Sequence, residues 1–140
     1  MKIISMAWTA GAFVAWRKRA TRRKWKDSYA AMFKPGDVCQ VYDRSPRVGG
    51  KRIGWLVIES IGKERIGSMP DEDFELEGFG WMEEAGVDFR GMPAREAFEA
   101  WRRSDPDEMY WVIRFSRLVR VVHKDQGTVN EFVGLHTCCA

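Results

Sequence analysis

The sequence predicts an α+β domain, a small mixed β-barrel with flanking short helices. Strand-like segments interleave irregularly with short helical ones, which disfavours a doubly wound parallel sheet. The chain has 140 residues, 45% of them hydrophobic, enough to bury one core without help from disulfides or metal. No repeat or low-complexity linker divides it, so residues 1–124 are expected to form the domain and 125–140 its C-terminal strand and tail.

Lys2 to Met6 (KIISM) reads as a first strand. Thr9 can cap a short helix whose Phe13, Val14 and Trp16 face inward, and that helix is expected to run straight into the basic segment behind it. Lys34-Pro35-Gly36-Asp37 is turn chemistry, and Asp37 to Asp43 alternates as a strand. The loop from Arg44 to Lys51 leads into a Val/Ile-rich strand, Ile53 to Ser60. Ser68 stands before Asp71 in a capping-box pattern, with Pro70 in the first turn of an acidic helical stretch. Behind Pro93, the residues Ala94, Ala97, Phe98 and Trp101 recur at helical spacing, and Ser104-Asp105-Pro106 ends that helix. Tyr110 to Val122 is a strand with Trp111, Ile113 and Phe115 on one face and Arg114 and Arg120 on the other.

The formal net charge of +3 sums two opposed regions. Residues 71–108 hold 13 acidic and 4 basic residues, a net of −9, so the rest of the chain carries +12. A chain divided in this way offers a cationic face to an anion. Three cysteines, Cys39, Cys138 and Cys139, are an odd number, and adjacent residues bridge only with strain; a reducing cytoplasm is the expected compartment. The apolar stretch from Ile3 to Trp16 is interrupted by Thr9, is too short to span a bilayer and is followed by basic residues. Neither a signal sequence nor a membrane segment is expected.

From Arg17 to Lys26 the sequence reads RKRATRRKWK, with Arg17, Lys18, Arg19, Arg22, Arg23, Lys24 and Lys26 basic and no acid between them. Such a run can be a solvated, solubilising face. Here Thr21 and the flanking Trp16 and Trp25 add a hydroxyl and two stacking surfaces, the combination used by proteins that bind single-stranded nucleic acid. A second cationic segment holds Arg44, Arg47 and Lys51 with the Gly49-Gly50 pair, whose backbone N–H groups can approach a phosphate. Lys18 and Thr21 stand three residues apart and would share a face in a helical turn. The arginines around Lys18 disfavour its protonated form, a physical route to a neutral lysine base able to take a proton from a threonine. A structural role for the pair is the alternative.

The run KRATRR, then FKPGD, VYDRSPRVGGKRIG and MPDEDFELEGF, and finally the strand YWVIRF, together resemble the ASCH domain family of the PUA-like superfold. The match covers Ile3 to Val122 with the segments in the family's order; Arg19 stands where the family usually has a first threonine. The resemblance implies a PUA-like mixed β-barrel whose cleft receives RNA or a modified nucleoside. One branch of the family removes the acetyl group from acetylcytidine with a Thr-Lys-Glu constellation, and Thr21, Lys18 and Glu77 stand at the matching positions. Other relatives are ribonucleases or non-catalytic RNA-binding modules, so those two readings stay open. Arg17, Arg19, Arg22, Arg23, Trp25, Tyr42, Arg44, Arg47 and Lys51 are the candidate nucleic-acid contacts, with Tyr42, Asp43 and Arg44 at the cleft mouth. Glu77 either positions Lys18 or merely neutralises the cationic run.

No cofactor is expected. His123, His136, Cys138 and Cys139 fit no zinc spacing. Asp71, Glu72, Asp73, Glu75 and Glu77 read as a solvated acidic helix rather than a Mg²⁺ site. Trp8, Trp55, Trp81, Trp101 and Trp111 read as core aromatics.

Overall fold

The computed structural model describes residues 1–118 and the backbone of 135–136. Its strands are β1 (Lys2–Ser5), β2 (Ala20–Arg23), β3 (Val38–Tyr42), β4 (Arg52–Arg65), β5 (Met109–Leu118) and β6 (Leu135–His136). They form one mixed sheet in the order β1-β3-β4-β5-β2, with β6 also on β5. The helices are α1 (Ala10–Val14), α2 (Asp27–Ala30), α3 (Asp73–Leu76), α4 (Phe79–Ala85) and α5 (Ala94–Ser104). This is the α+β architecture expected, a sheet curled into a half-barrel with short helices around it.

The curl follows from the pairing. β1 runs parallel to β3, with Ile4 opposite Val41, and the other pairs are antiparallel. Register shifts interrupt the ladders at Val41/Tyr42 and at Ile58/Ser60, and such bulges bend and twist a strand. Inside the curl lie Ile4, Phe13, Val41, Leu56, Ile58, Ile113 and Phe115. A second apolar cluster, with Ile66, Phe74, Phe79, Met82, Ala97 and Phe98, is built by α3, α4, α5 and the turn that follows β4. β5 serves both clusters, because Ile113 and Phe115 belong to the first and Tyr110 packs on the second.

Several local expectations are corrected. α1 stops at Val14, and the basic segment is a loop followed by β2 rather than a continued helix. The cause is distant in sequence: Arg117 on β5 donates to the carbonyls of Phe13 and Val14 at 2.9 Å each, which closes the helix end as a cationic side chain can. Its guanidinium lies 4.0 Å from the centre of the Trp16 ring. Val14 is 50% exposed rather than inward. The capping box does not form, since Ser68 sits in a 3-10 turn and α3 begins at Asp73 without a side-chain cap. β4 continues to Arg65 because Met109 still pairs there. Beyond Leu118 the expected strand, with Arg120 and Val122, lies outside the described residues, as do His123, Cys138, Cys139, the side chain of His136 and, β6 apart, the tail from 125. No helix among the described residues is long and apolar enough to cross a membrane.

Candidate functional site

After α1 the chain folds back on itself. The backbone N–H groups of Arg17 and Lys18 both donate to the Ala12 carbonyl, at 2.9 and 3.2 Å, and that of Arg19 donates to the Leu76 carbonyl at 2.8 Å. Residue 18 is thereby wedged between α1 and the α3–α4 junction. At that junction Gly78 has φ +109°, and a Cβ on it would stand 2.9 Å from the Ala12 Cβ. Only glycine allows this turn and this approach. The turn presents Glu77 to Lys18, whose Nζ donates to the Glu77 carbonyl at 2.5 Å and lies 3.6 Å from Glu77 Oε1. Lys18 is 3% exposed. Burial pushes its amine down to about 8, against the pull of Glu77 and with the help of the Arg23 and Arg22 charges.

β2 delivers the next three residues. Arg23 Nε donates to Thr21 Oγ1 at 3.2 Å, as two residues on one face of a strand can. The same guanidinium donates to the Ser5 carbonyl on β1. Arg22 bridges two carboxylates, lying 2.7 Å from Asp73 Oδ2 and 2.8 Å from Glu77 Oε2. Asp73, fully buried, also receives both terminal nitrogens of Arg114 at 3.2 and 3.0 Å. Paired charges of this kind are what a buried polar layer requires.

Lys18, Thr21, Arg22, Arg23 and Glu77, but not Asp73 or Arg114 behind them, form one wall of a cavity of about 820 Å³, within the range of small-molecule sites. Lys18, Thr21, Arg22, Arg23 and Glu77 give it polarity, while Trp8, Phe79, Phe89, Trp101 and Tyr110 give it aromatic faces. Trp101 Nε1 donates to the Tyr110 hydroxyl at 3.2 Å, holding those two rings edge to face. Lys18 and Thr21 share the cavity but not a hydrogen bond, and they meet through a loop and a strand rather than through a helical turn.

The remaining candidates lie elsewhere. Arg17 pairs with Glu75 and Glu84, and Arg19 with Glu59, both away from the cavity wall. Trp25 stacks on Phe33 at 4.4 Å and meets Tyr29 edge-on, so it is a packing residue rather than an open stacking surface. Tyr42 is half-buried in β3, and Arg44, Arg47 and Lys51 are exposed on the following loop; none lines the cavity. The amides of Gly49 and Gly50 donate to the Pro46 and Ser45 carbonyls, closing that loop on itself. Asp43 does the same by accepting from the Lys51 amide. The acidic stretch is solvated only in part: Asp71 and Glu72 are exposed, whereas Asp73, Glu75 and Glu77 face Arg22, Arg114, Arg17 and Lys18. Among the described residues no group of acidic, His or Cys side chains is placed to hold a metal.

Sequence reasoning missed part of the wall. Trp8 is 46% exposed and Trp101 lines the cavity from α5, beside Ala97 and Ala100. The signal for the helix was its small residues: Ala97, Ala100 and Ser104 share a face with Trp101 at helical spacing and leave room there.

A curled mixed sheet, a layer of short helices and a polar and aromatic cavity at their seam define an α+β protein built on a half-barrel. No family model and no curated protein matches the chain. Among solved structures it is similar to the protein EF3133 from Enterococcus faecalis V583, of family DUF984, with 12% identity and a TM-score of 0.52 over 100% of this chain and 86% of that one. It is also similar to an ASCH domain from Lactobacillus crispatus JV V101, with 20% identity and a TM-score of 0.48 over 78% of this chain and 69% of that one. The likeness to EF3133, at 12% identity, speaks for the fold alone.

Proposed function

We propose that the cavity receives the base of RNA or of a modified nucleoside, and that the protein hydrolyses an N-acyl group of the acetylcytidine type. One observation carries this reading: Lys18, Thr21 and Glu77 come together in the wall of one cavity, with the lysine amine pushed down to about 8. An amine in that range exists in part as free base at neutral pH, as a general base needs. Thr21 Oγ attacks the amide carbonyl, and Lys18 takes the hydroxyl proton and returns it to the departing amine. Water then cleaves the acyl ester, with Lys18 again accepting and giving back a proton. Arg23, donating to Thr21 Oγ1, favours negative charge on that oxygen. Glu77 fixes the lysine through its carbonyl and its carboxylate. Arg22, engaged by Asp73 and Glu77, is a scaffold for the site. The test is release of acetate from acetylcytidine by the wild type and its loss in Lys18→Met. No turnover by the wild type above buffer removes the hydrolase reading.

A second reading is a non-catalytic pocket for an RNA base. It is favoured by the hydrogen bond of Lys18 to the Glu77 carbonyl rather than to Thr21. It predicts binding of cytidine-containing RNA without acetate release, and Lys18→Met that still binds.

A further inference from the structure

We propose that Arg90 reads a phosphate, so that the occupant of the cavity is a nucleotide rather than a neutral nucleoside; the inference rests on the base-binding reading above. Five cations line the cavity, Lys18, Arg22, Arg23, Lys24 and Arg90. Four of them are engaged by the protein itself. Lys18 has Glu77, Arg22 has Asp73 and Glu77, Lys24 has Glu108, and Arg23 has the Ser5 carbonyl and the Thr21 hydroxyl. Arg90 has neither a carboxylate nor a hydrogen-bond acceptor among the described residues, only the face of Phe89 at 5.4 Å.

The backbone under Arg90 points the same way. Phe89 and Met92 exchange both backbone hydrogen bonds, at 2.8 and 3.0 Å, so Arg90 and Gly91 are the two central residues of a tight hairpin turn. Both have positive φ, +51° and +80°, the signature of a type I′ turn. That turn wants Asn, Asp or Gly at its first central position. Arginine there breaks a local rule with no hydrogen bond or ion pair among the described residues to compensate, and strained residues of this kind gather at ligand sites. What the position gains is a planar, always charged donor fork held at the rim of a cavity whose deeper cations are already bonded, and phosphate is the group that such a fork fits bidentately.

Titration calorimetry with cytidine, cytidine 5′-monophosphate and inorganic phosphate, on the wild type and on Arg90→Asn, tests this. Asparagine suits the turn, so the variant keeps the fold, and an unchanged or higher melting temperature verifies it. The nucleotide is expected to bind the wild type at least about tenfold more tightly than cytidine, as a charge-assisted pair gives. In Arg90→Asn that ratio falls towards one while cytidine binding is unchanged. A tetracytidylate without terminal phosphate that also gains affinity through Arg90 assigns the contact to a chain diester, and one that does not assigns it to a terminal monoester. Phosphate binding that needs Arg90, with no binding of cytidine, keeps the anion site and removes the base reading. Equal affinity for cytidine and its monophosphate, the same ratio in the variant, or no binding of any of these probes overturns the proposal.

Discussion

Arg23 on β2 donates to the carbonyl of Ser5 on β1, joining the two strands that stand at opposite ends of the sheet's pairing order. A side chain thus ties the half-barrel where no backbone ladder does. Arg23→Met removes that donor and leaves the carbonyl to find another partner. Loss of a hydrogen bond from a charged group is expected to lower unfolding free energy by about 1.5–3 kcal/mol, read from urea denaturation. A midpoint equal to that of the wild type would show that the tie contributes nothing.

Lys18 links the site to pH. Its amine is lowered from 10.5 to about 8 in the folded chain. Between those values the unfolded chain binds the extra proton, so stability rises with pH across that window. The gain is on the order of 3 kcal/mol, and Lys18→Met should lack it, which isolates Lys18 from other groups that titrate there. Denaturation at pH 8 and pH 10.5 on both proteins measures it; parallel changes in the two would refute the assignment. In the catalytic reading, kcat/KM climbs through about pH 8 and then levels, because the free amine is the competent form.

Gly78 is expected to tolerate no side chain. At φ +109°, with Ala12 Cβ 2.9 Å and Thr9 Cβ 3.0 Å from an added Cβ, Gly78→Ala combines backbone strain with overpacking. Together these cost about 2–4 kcal/mol. Because the turn also presents Glu77, ligand affinity should fall with stability. Thermal melts and binding measured together check this, and a variant as stable as the wild type would contradict the packing described.

The engaged state of the basic run sets how RNA binding responds to salt. Arg17, Lys18, Arg19, Arg22 and Lys24 each face a carboxylate, whereas Arg44, Arg47 and Lys51 are exposed with no ion pair among the described residues. Single-stranded RNA that contacts those three should show a log–log salt slope of magnitude about 2, and replacing all three by alanine should flatten it. A slope near 5, about what the seven charges of the run would give if free, would mean that the run opens to meet RNA.

Legibility followed the range of the interactions. β3 and α5 were readable because alternation, helical spacing and the turn or proline beside them are local signals. Glu77 was readable as part of a motif. The course of the basic run was not, because Arg117, which ends α1, lies about a hundred residues away in the chain. Seven clustered cations suggest an exposed surface until the carboxylates that face five of them are known. The aromatic wall was hidden for a different reason: Trp8 and Trp101 have the same composition signal whether a ring lines a core or a cavity. Arg90 gave no signal in its charge, only in its place beside Gly91 in a turn that two backbone hydrogen bonds define.

Asp73 is held at once by Arg22 from β2 and Arg114 from β5, with α3 carrying the carboxylate. Three segments far apart in the chain must be in place before these bonds can form, so they belong late on the folding route. Interactions absent from the transition state act on the rate of unfolding and leave the rate of folding nearly untouched. Asp73→Asn should therefore shorten the lifetime of the folded protein, raising the unfolding rate at every urea concentration while refolding proceeds at its former pace. The carboxylate that organises the cavity is also a timer on how long the cavity exists.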